Sequence, residues 1–310
     1  MDEAQPMTVS RFAIPNGMAA AAAGVSANVV FGASSLYWRL LASIAPTTLV
    51  GYRIFISLAT LLAILWLTGR LRALRGKLAP RVLALHVAAS CLVVVNWGVF
   101  IWSSIHGYVV ETGLGYLTAP CISIAAGIIV FREKVDKLVG GALLVIAAAI
   151  ALLLWRSGEL QHWLYLTAAI SWGGYACLKK FTPLDAVSGL LMETVFLSVG
   201  CGLALMFSDL TLSLPADMSK PHLAALAMAG LVSAVPLMLF SYAANHLSLS
   251  ISGLLQFILP TTQFVVATFV YRQPVSANTV IALAMIWLAL MAIAIRPLLS
   301  GRRPASAGRP

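Results

Sequence analysis

The chain has 310 residues, 61% of them hydrophobic and only 10% charged, with a mean hydropathy of +0.95. Soluble domains carry about 25% charged residues, so this composition excludes an ordinary soluble domain and predicts an all-α integral membrane protein. The formal charge of +10 would suit nucleic acid in a soluble chain. Here the basic residues fall in short segments between apolar runs, where they act as an orientation signal, and no nucleic-acid partner is expected.

Runs of about 20 apolar residues cross a hydrocarbon core of about 30 Å as helices, because backbone groups in lipid must be satisfied within the segment. Ten such runs are predicted in chain order: 17–41, 46–68, 82–105, 109–131, 137–155, 162–180, 187–207, 222–246, 249–271 and 276–296. Residues 1–16 are read as a cytoplasmic N-terminus, 17–155 and 162–296 as two five-helix halves, and 297–310 as a basic cytoplasmic tail. The first apolar stretch continues to Leu41 and is too long for the core of a cleaved signal peptide.

Loop charges orient these spans. Arg70, Arg72, Arg75, Lys77 and Arg81 follow the second span, Arg132, Lys134 and Lys137 the fourth, and Lys179 and Lys180 end the sixth. With Arg296, Arg302, Arg303 and Arg309 of the tail they share one side, leaving Arg39, Arg156, Lys220 and Arg272 on the other. The positive-inside rule then places both termini in the cytoplasm. Trp38, Trp155 and Trp163 lie near span ends, where indoles anchor at the interface. The four cysteines (Cys91, Cys121, Cys177 and Cys201) have no paired spacing and are read as small packing residues.

The halves resemble one another. From about Leu83 to Ile150 a shift of 140 residues puts His106 on His246, Gly113 on Gly253, Leu114 on Leu254, Pro120 on Pro260, Val130 on Val270 and Arg132 on Arg272. Earlier in the chain Phe31-Gly32 pairs with Trp172-Gly173 after a one-residue slip. Five spans per copy, an odd number, would insert the second copy upside down relative to the first. Inverted repeats with a midplane site between them are a common plan of secondary transporters.

The third and fourth spans read Asn96-Trp97, then Phe100-Ile101-Trp102, then Glu111-Thr-Gly-Leu-Gly-Tyr116 with Pro120. The second half carries Val235-Pro236-Leu237, Gln256-Phe257 with Pro260, and Ile286-Trp287. Over roughly 15–297 the chain resembles the RarD branch of the EamA family, in the drug/metabolite transporter (DMT) superfamily. The resemblance implies ten helices in two inverted repeats, a bacterial inner-membrane location, and export of small metabolites, most readily amino acids as in the YddG-type exporters of similar plan. A chloramphenicol or drug permease of the same fold is the rival within that family. The family's Gly-Glu-Lys or Gly-Glu-Arg motif after the fourth and ninth spans reads here Arg132-Glu133-Lys134 and Arg272-Gln273-Pro274, so the second copy lacks the acidic residue.

Ionisable groups inside a span are costly and mark function by default. Arg53 and Glu193 occupy corresponding places at the 140-residue shift, about two turns from a span end, and are read as gating or structural charges. Glu111 shares a helix face with Gly115, Thr118 and Ile122, while Ser252, Gln256 and Gln263 make a polar stripe on the ninth span. A zwitterion needs an acceptor for its ammonium, which Glu111 or the hydroxyls of Tyr116 and Tyr175 offer. Its carboxylate needs donors, which the amides of Asn96 and Gln256 supply. Trp102 and the two tyrosines would hold a variable side chain. Trp97, Trp172 and Tyr242 add aromatic surface. Pro120 and Pro260 each remove a backbone donor and are read as hinges of the two halves. His106 and His246 fit helix-end roles better than a proton relay.

No Walker-type loop, His-Glu-x-x-His pair or Cys pair at metal spacing is present, so no catalytic residue, metal or cofactor is expected. The expected partners are a small-molecule substrate and the lipid bilayer. No oligomeric state is read from the sequence, a monomer being compatible with it. A membrane-embedded enzyme and a channel are the readings from other classes. Reporter fusions to the first and last residues should report the same, cytoplasmic, side of the membrane, and opposite sides would overturn the topology.

Overall fold

The computed structural model describes residues 14–69, 79–133, 137–156, 161–272 and 277–299. Ten helices run through them: α1 (Ile14–Leu40), α2 (Pro46–Leu67), α3 (Pro80–His106), α4 (Val109–Ile129), α5 (Lys137–Arg156), α6 (His162–Lys179), α7 (Ala186–Phe207), α8 (Lys220–His246), α9 (Leu249–Val270) and α10 (Ala277–Leu299). Their ends fall within three residues of the predicted spans. Seven of them, α1 to α4 and α7 to α9, are long and apolar enough to cross a membrane, so this is a multi-pass membrane protein. The described apolar stretches of α5 and α10 are shorter. Most of the basic segment after α2, residues 134–136, 273–276 and both chain ends (1–13 and 300–310) lie outside the described residues, and with them most of the predicted tail and N-terminal segments.

Local chemistry sets the boundaries. Proline opens α2 and α3, where its missing N–H has no helical partner to lose. Gly107 ends α3 in the left-handed region at φ 83°, a conformation that costs glycine nothing. Asp185 caps α7 by accepting from the N–H groups of Val187 and Ser188, both at 3.2 Å. Pro260 cannot donate to the carbonyl one turn back, and α9 breaks at Phe257 into two shorter helices before ending in a π-helical turn. Pro120 sits at the equivalent place in α4, which stays continuous.

The packing repeats between the halves. α1 lies against α8 as α6 lies against α3, and α4 against α6 as α9 against α1. α2 meets α8 as α7 meets α3, while α2–α7, α4–α9 and α5–α10 are pairs of equivalents. Two glycines show the match at atomic scale. A Cβ on Gly32 would stand 2.5 Å from Thr262 Cβ and 2.7 Å from the Leu259 carbonyl oxygen, and one on Gly173 2.8 Å from Ile122 Cβ and 3.1 Å from the Ala119 carbonyl oxygen. Those neighbours, Ala119 with Leu259 and Ile122 with Thr262, are themselves 140 residues apart. Small residues let membrane helices approach closely where lipid offers no hydrophobic drive.

The loops after α4 and α9 also match, each turning through a left-handed arginine, Arg132 and Arg272, both at φ 51°. After α4 the Glu133 carboxylate accepts from Leu249 N (2.7 Å), Ser250 N (2.9 Å) and Ser250 Oγ (2.5 Å), so an anion from the first half caps α9 of the second. Lys180 donates to the Leu247 carbonyl beside it, and Phe131 packs on Phe181. The ends of α4 and α6 and the start of α9, predicted to share one side, therefore do sit together.

Two expectations need correction. Lys179 is not a loop charge: it is fully buried. Trp38 is not an interface anchor either, at 1% exposure, whereas Trp155 and Trp163 are 88% and 51% exposed. Both buried residues face charges of the interior described below.

Gly173→Ala should unfold earlier than the parent in a thermal melt in detergent, by about 1–3 kcal/mol of overpacking. Gly140→Ala, where an added Cβ meets nothing within 4 Å, should be neutral or up to about 1 kcal/mol more stable, since a glycine within a helix is entropically costly.

Candidate functional site

Two buried polar constellations lie in the interior, and each is built around one of the paired charges. The first surrounds Arg53, 4% exposed, on α2. Its guanidinium carbon lies 3.8 Å from the centroid of Trp97 and 4.9 Å from that of Trp38, two cation–π contacts. Among the described residues no carboxylate pairs with it, and its Nε is buried without a hydrogen-bond partner. Arg53 shares a narrow pocket with Phe31, Ser34, Asn96, Trp97, Phe100, Tyr116, Trp172 and Leu259. Tyr116 Oη donates to Asn96 Oδ1 at 2.9 Å, and Asn96 Nδ2 donates to Ser171 Oγ at 3.1 Å. Phe31 and Tyr116 set their rings edge-on to Trp172, at 5.2 and 6.2 Å. Phe31 and Trp172 are equivalents of the two halves, so the pocket sits on the seam between them.

Arg53, Asn96, Tyr116 and Trp172 are each almost wholly buried, so the polar groups of the pocket are withdrawn from solvent. A cation, an amide and a phenol among aromatic walls can together donate to an anionic group beside an apolar surface.

The second constellation surrounds Glu193 on α7. Lys179 Nζ donates to Oε1 at 2.8 Å, His86 Nδ1 meets the same oxygen at 3.0 Å, and Tyr175 Oη donates to Oε2 at 2.9 Å. His86, Lys179 and Glu193 are all 0% exposed. Ser90 Oγ bridges the cluster's backbones, donating to the carbonyls of His86 (2.6 Å) and Glu193 (3.1 Å). The equivalent positions thus have opposite electrostatics: Glu193 is answered by three donors, and Arg53 lies against aromatic faces with no carboxylate paired to it among the described residues.

The six predicted substrate residues divide. Asn96 and Tyr116 line the Arg53 pocket, while Tyr175 belongs to the Glu193 cluster. Trp102 stacks on His106 and Tyr108 at 4.3 and 5.3 Å and lines a separate apolar crevice between α2, α3 and α7. Glu111 is buried in the first turn of α4 and is not among the pocket residues. Gln256 lies at the α4–α9 seam, its Nε2 3.4 Å from Ser123 Oγ and its Oε1 without a partner. The exposed His106 and His246 each bond the carbonyl one turn back, those of Trp102 and Tyr242.

The sequence reading did not single out His86 or assign Lys179 to a site. The signal for Lys179 was its position: Tyr175 and Trp172 lie four and seven residues before it, on the same helix face. Among the described residues no group of three His, Cys, Asp or Glu side chains is placed to hold a metal ion.

No family model matches the chain. It is similar to the uncharacterized transporter YojE of Bacillus subtilis, with 32% identity across 85% of this chain and 89% of that protein. It is similar to protein RarD of Streptomyces exfoliatus at 31%, across 90% and 89%. The chloramphenicol-sensitive protein RarD of Pseudomonas aeruginosa is 25% identical across 86% of this chain and 90% of its own. A solved structure, described only as a crystal structure of a protein, superposes with TM-score 0.65 at 17% identity over 91% of this chain and 99% of that one. At that identity the likeness shows the fold alone.

The two charges should respond oppositely to removal. Glu193→Met strands Lys179 without its carboxylate and should lower stability by about 3–5 kcal/mol. Arg53→Met removes a buried charge that has no carboxylate partner, and this variant should unfold no earlier than the parent, because a packed apolar side chain replaces a desolvated cation. Parallel thermal melts in detergent check both, and an early melt of Arg53→Met would show a purely structural arginine.

Proposed function

This chain belongs to the family of RarD and its related transporters, and from that membership we propose that it exports small carboxylate-bearing metabolites, amino acids first among them. The observation that carries the reading is Arg53, a buried guanidinium in an aromatic-lined pocket with no carboxylate paired to it among the described residues. A buried cation without a counter-ion is expensive, and a substrate carboxylate would complete it with charge-assisted hydrogen bonds. Asn96 and Tyr116 stand beside it to orient the rest of the molecule. Trp97 and Trp172 give apolar walls that tolerate side chains of differing shape.

The proposed mechanism is alternating access between two inverted five-helix halves in a bacterial inner membrane, with both termini cytoplasmic. It is supported by the repeated helix pairings, by the Gly32 and Gly173 contacts, and by the pocket's position on the seam. The break of α9 at Phe257, three residues before Pro260, suits that helix to bend, with Pro120 as its counterpart in α4. Glu111, Gln256 and Trp102 lie outside the Arg53 pocket and are assigned to the path a substrate takes when the seam opens. The name of the Pseudomonas relative motivates the second reading, a drug permease.

Purified protein in liposomes should show saturable counterflow across a panel of radiolabelled amino acids. Arg53→Gln should weaken apparent affinity about 10- to 150-fold, the loss of an interaction worth about 1.5–3 kcal/mol. Saturable uptake of labelled chloramphenicol, unaffected by amino acids and by Arg53→Gln, would favour the drug permease. Chemically altered substrate would reveal an enzyme, and unsaturable conductance a channel.

A further inference from the structure

The apolar crevice between α2, α3 and α7 encloses about 710 Å³, far more than the narrow Arg53 pocket. All three helices that wall it are long and apolar enough to cross a membrane, so the crevice faces the bilayer. Local packing makes the space. Ser90 of α3 donates to the Glu193 carbonyl of α7 at 3.1 Å and ties the two helices together near the start of α3. Further along, Gly98 of α3 and Gly200 of α7 line the crevice, and a Cβ on either would meet nothing within 4 Å. In the segment after α7, Leu210 joins the wall and Leu212 packs on Gly51 of α2, where a Cβ would stand 2.5 Å from Leu212 Cδ2.

The opening is lateral. Val87, Cys91, Val199 and Leu203 line the crevice and are exposed, on helices that span the membrane. The crevice is therefore continuous with the apolar surface that meets lipid. None of the residues lining it is charged. Thr47 and Ser90 supply its hydroxyls, and Ser90 Oγ is already committed to the carbonyls of His86 and Glu193. Such walls offer nothing to the carboxylate or ammonium of a metabolite; they match hydrocarbon. Acyl chains are as apolar as these side chains, so entry costs no desolvation. Inside, a chain meets protein on three sides, and each added side contributes dispersion contacts. Along α3 the lining runs from residue 87 to 102, about 22 Å of helix at 1.5 Å per residue. One leaflet accounts for about half of a hydrocarbon core of about 30 Å, so a whole acyl chain fits. Arg53, Asn96 and Trp97 lie on α2 and α3, the two walls that the crevice shares with the Arg53 pocket.

We propose that this crevice is a binding site for one acyl chain of a bilayer phospholipid, held between α3 and α7 along Gly98 and Gly200. The proposal rests on the membrane location and is independent of the solute transported.

Full-length protein in nanodiscs of phosphatidylethanolamine and phosphatidylglycerol, doped with a phosphatidylcholine bearing a diazirine on one acyl chain, tests it. After illumination, peptide mass spectrometry should find residues 91–98 and 199–203 labelled more heavily than Leu144 of α5, although Leu144 is 74% exposed. Gly98→Leu and Gly200→Leu each put a side chain into the crevice. Each should cut that labelling to the Leu144 level or below, with Leu144 itself unchanged. Gly140→Leu, also in open space but on α5, should leave the crevice labelled as in the parent. Labelling that only follows exposure, with Leu144 ahead of the crevice residues, would overturn the proposal. So would folded leucine variants labelled like the parent, or a crevice left unlabelled because a second copy of the chain covers it. The parent's map decides the matter by itself should a leucine variant fail to fold.

Discussion

Two halves as apolar as the lipid around them have no hydrophobic reason to stay together. What joins them here is close approach at glycine and polar closure at a few enclosed groups. Gly32 and Gly173 bring α1 onto α9 and α6 onto α4, backbone almost on side chain. Glu133 reaches across to the first turn of α9, and Glu193 holds His86 from the opposite half.

The helix pairings recur between the two stretches, but their buried charges do not match. Arg53 and Glu193 stand at equivalent places, but Lys179 answers Glu193 where Trp38 faces Arg53. Lys179 and Trp38 are themselves equivalent, 141 residues apart, the same slip that pairs Phe31 with Trp172. One half therefore carries a satisfied ionic cluster, and the other a cation against aromatic faces. Both use the same low-dielectric interior, where an unanswered charge is costly and an answered one is rigid.

Much of the architecture was legible in the residues. Span ends agreed closely because hydropathy and the prolines and glycines at helix ends act locally, through backbone groups that must be satisfied within each segment. The repeat was visible as identities such as Arg132 with Arg272, and the structure adds why these recur: both turn the chain through φ 51°. The Arg53–Glu193 correspondence was also visible, since it needs only position and charge.

The sequence by itself determined the ten helices, the internal repeat, and which spans carry charge, because hydrophobic length and helical period are properties of one segment at a time. Tertiary structure alone decided partnership. It turned Lys179 from an assumed loop charge into the counter-ion of Glu193, and placed His86 between the halves. It drew Asn96 and Tyr116 to Arg53 while leaving Trp102, Glu111 and Gln256 elsewhere. Those outcomes depend on the rotation of each helix about its axis and on which neighbour it meets. In an apolar bundle small residues on several faces permit more than one rotation, so only the assembled packing fixes which polar groups meet.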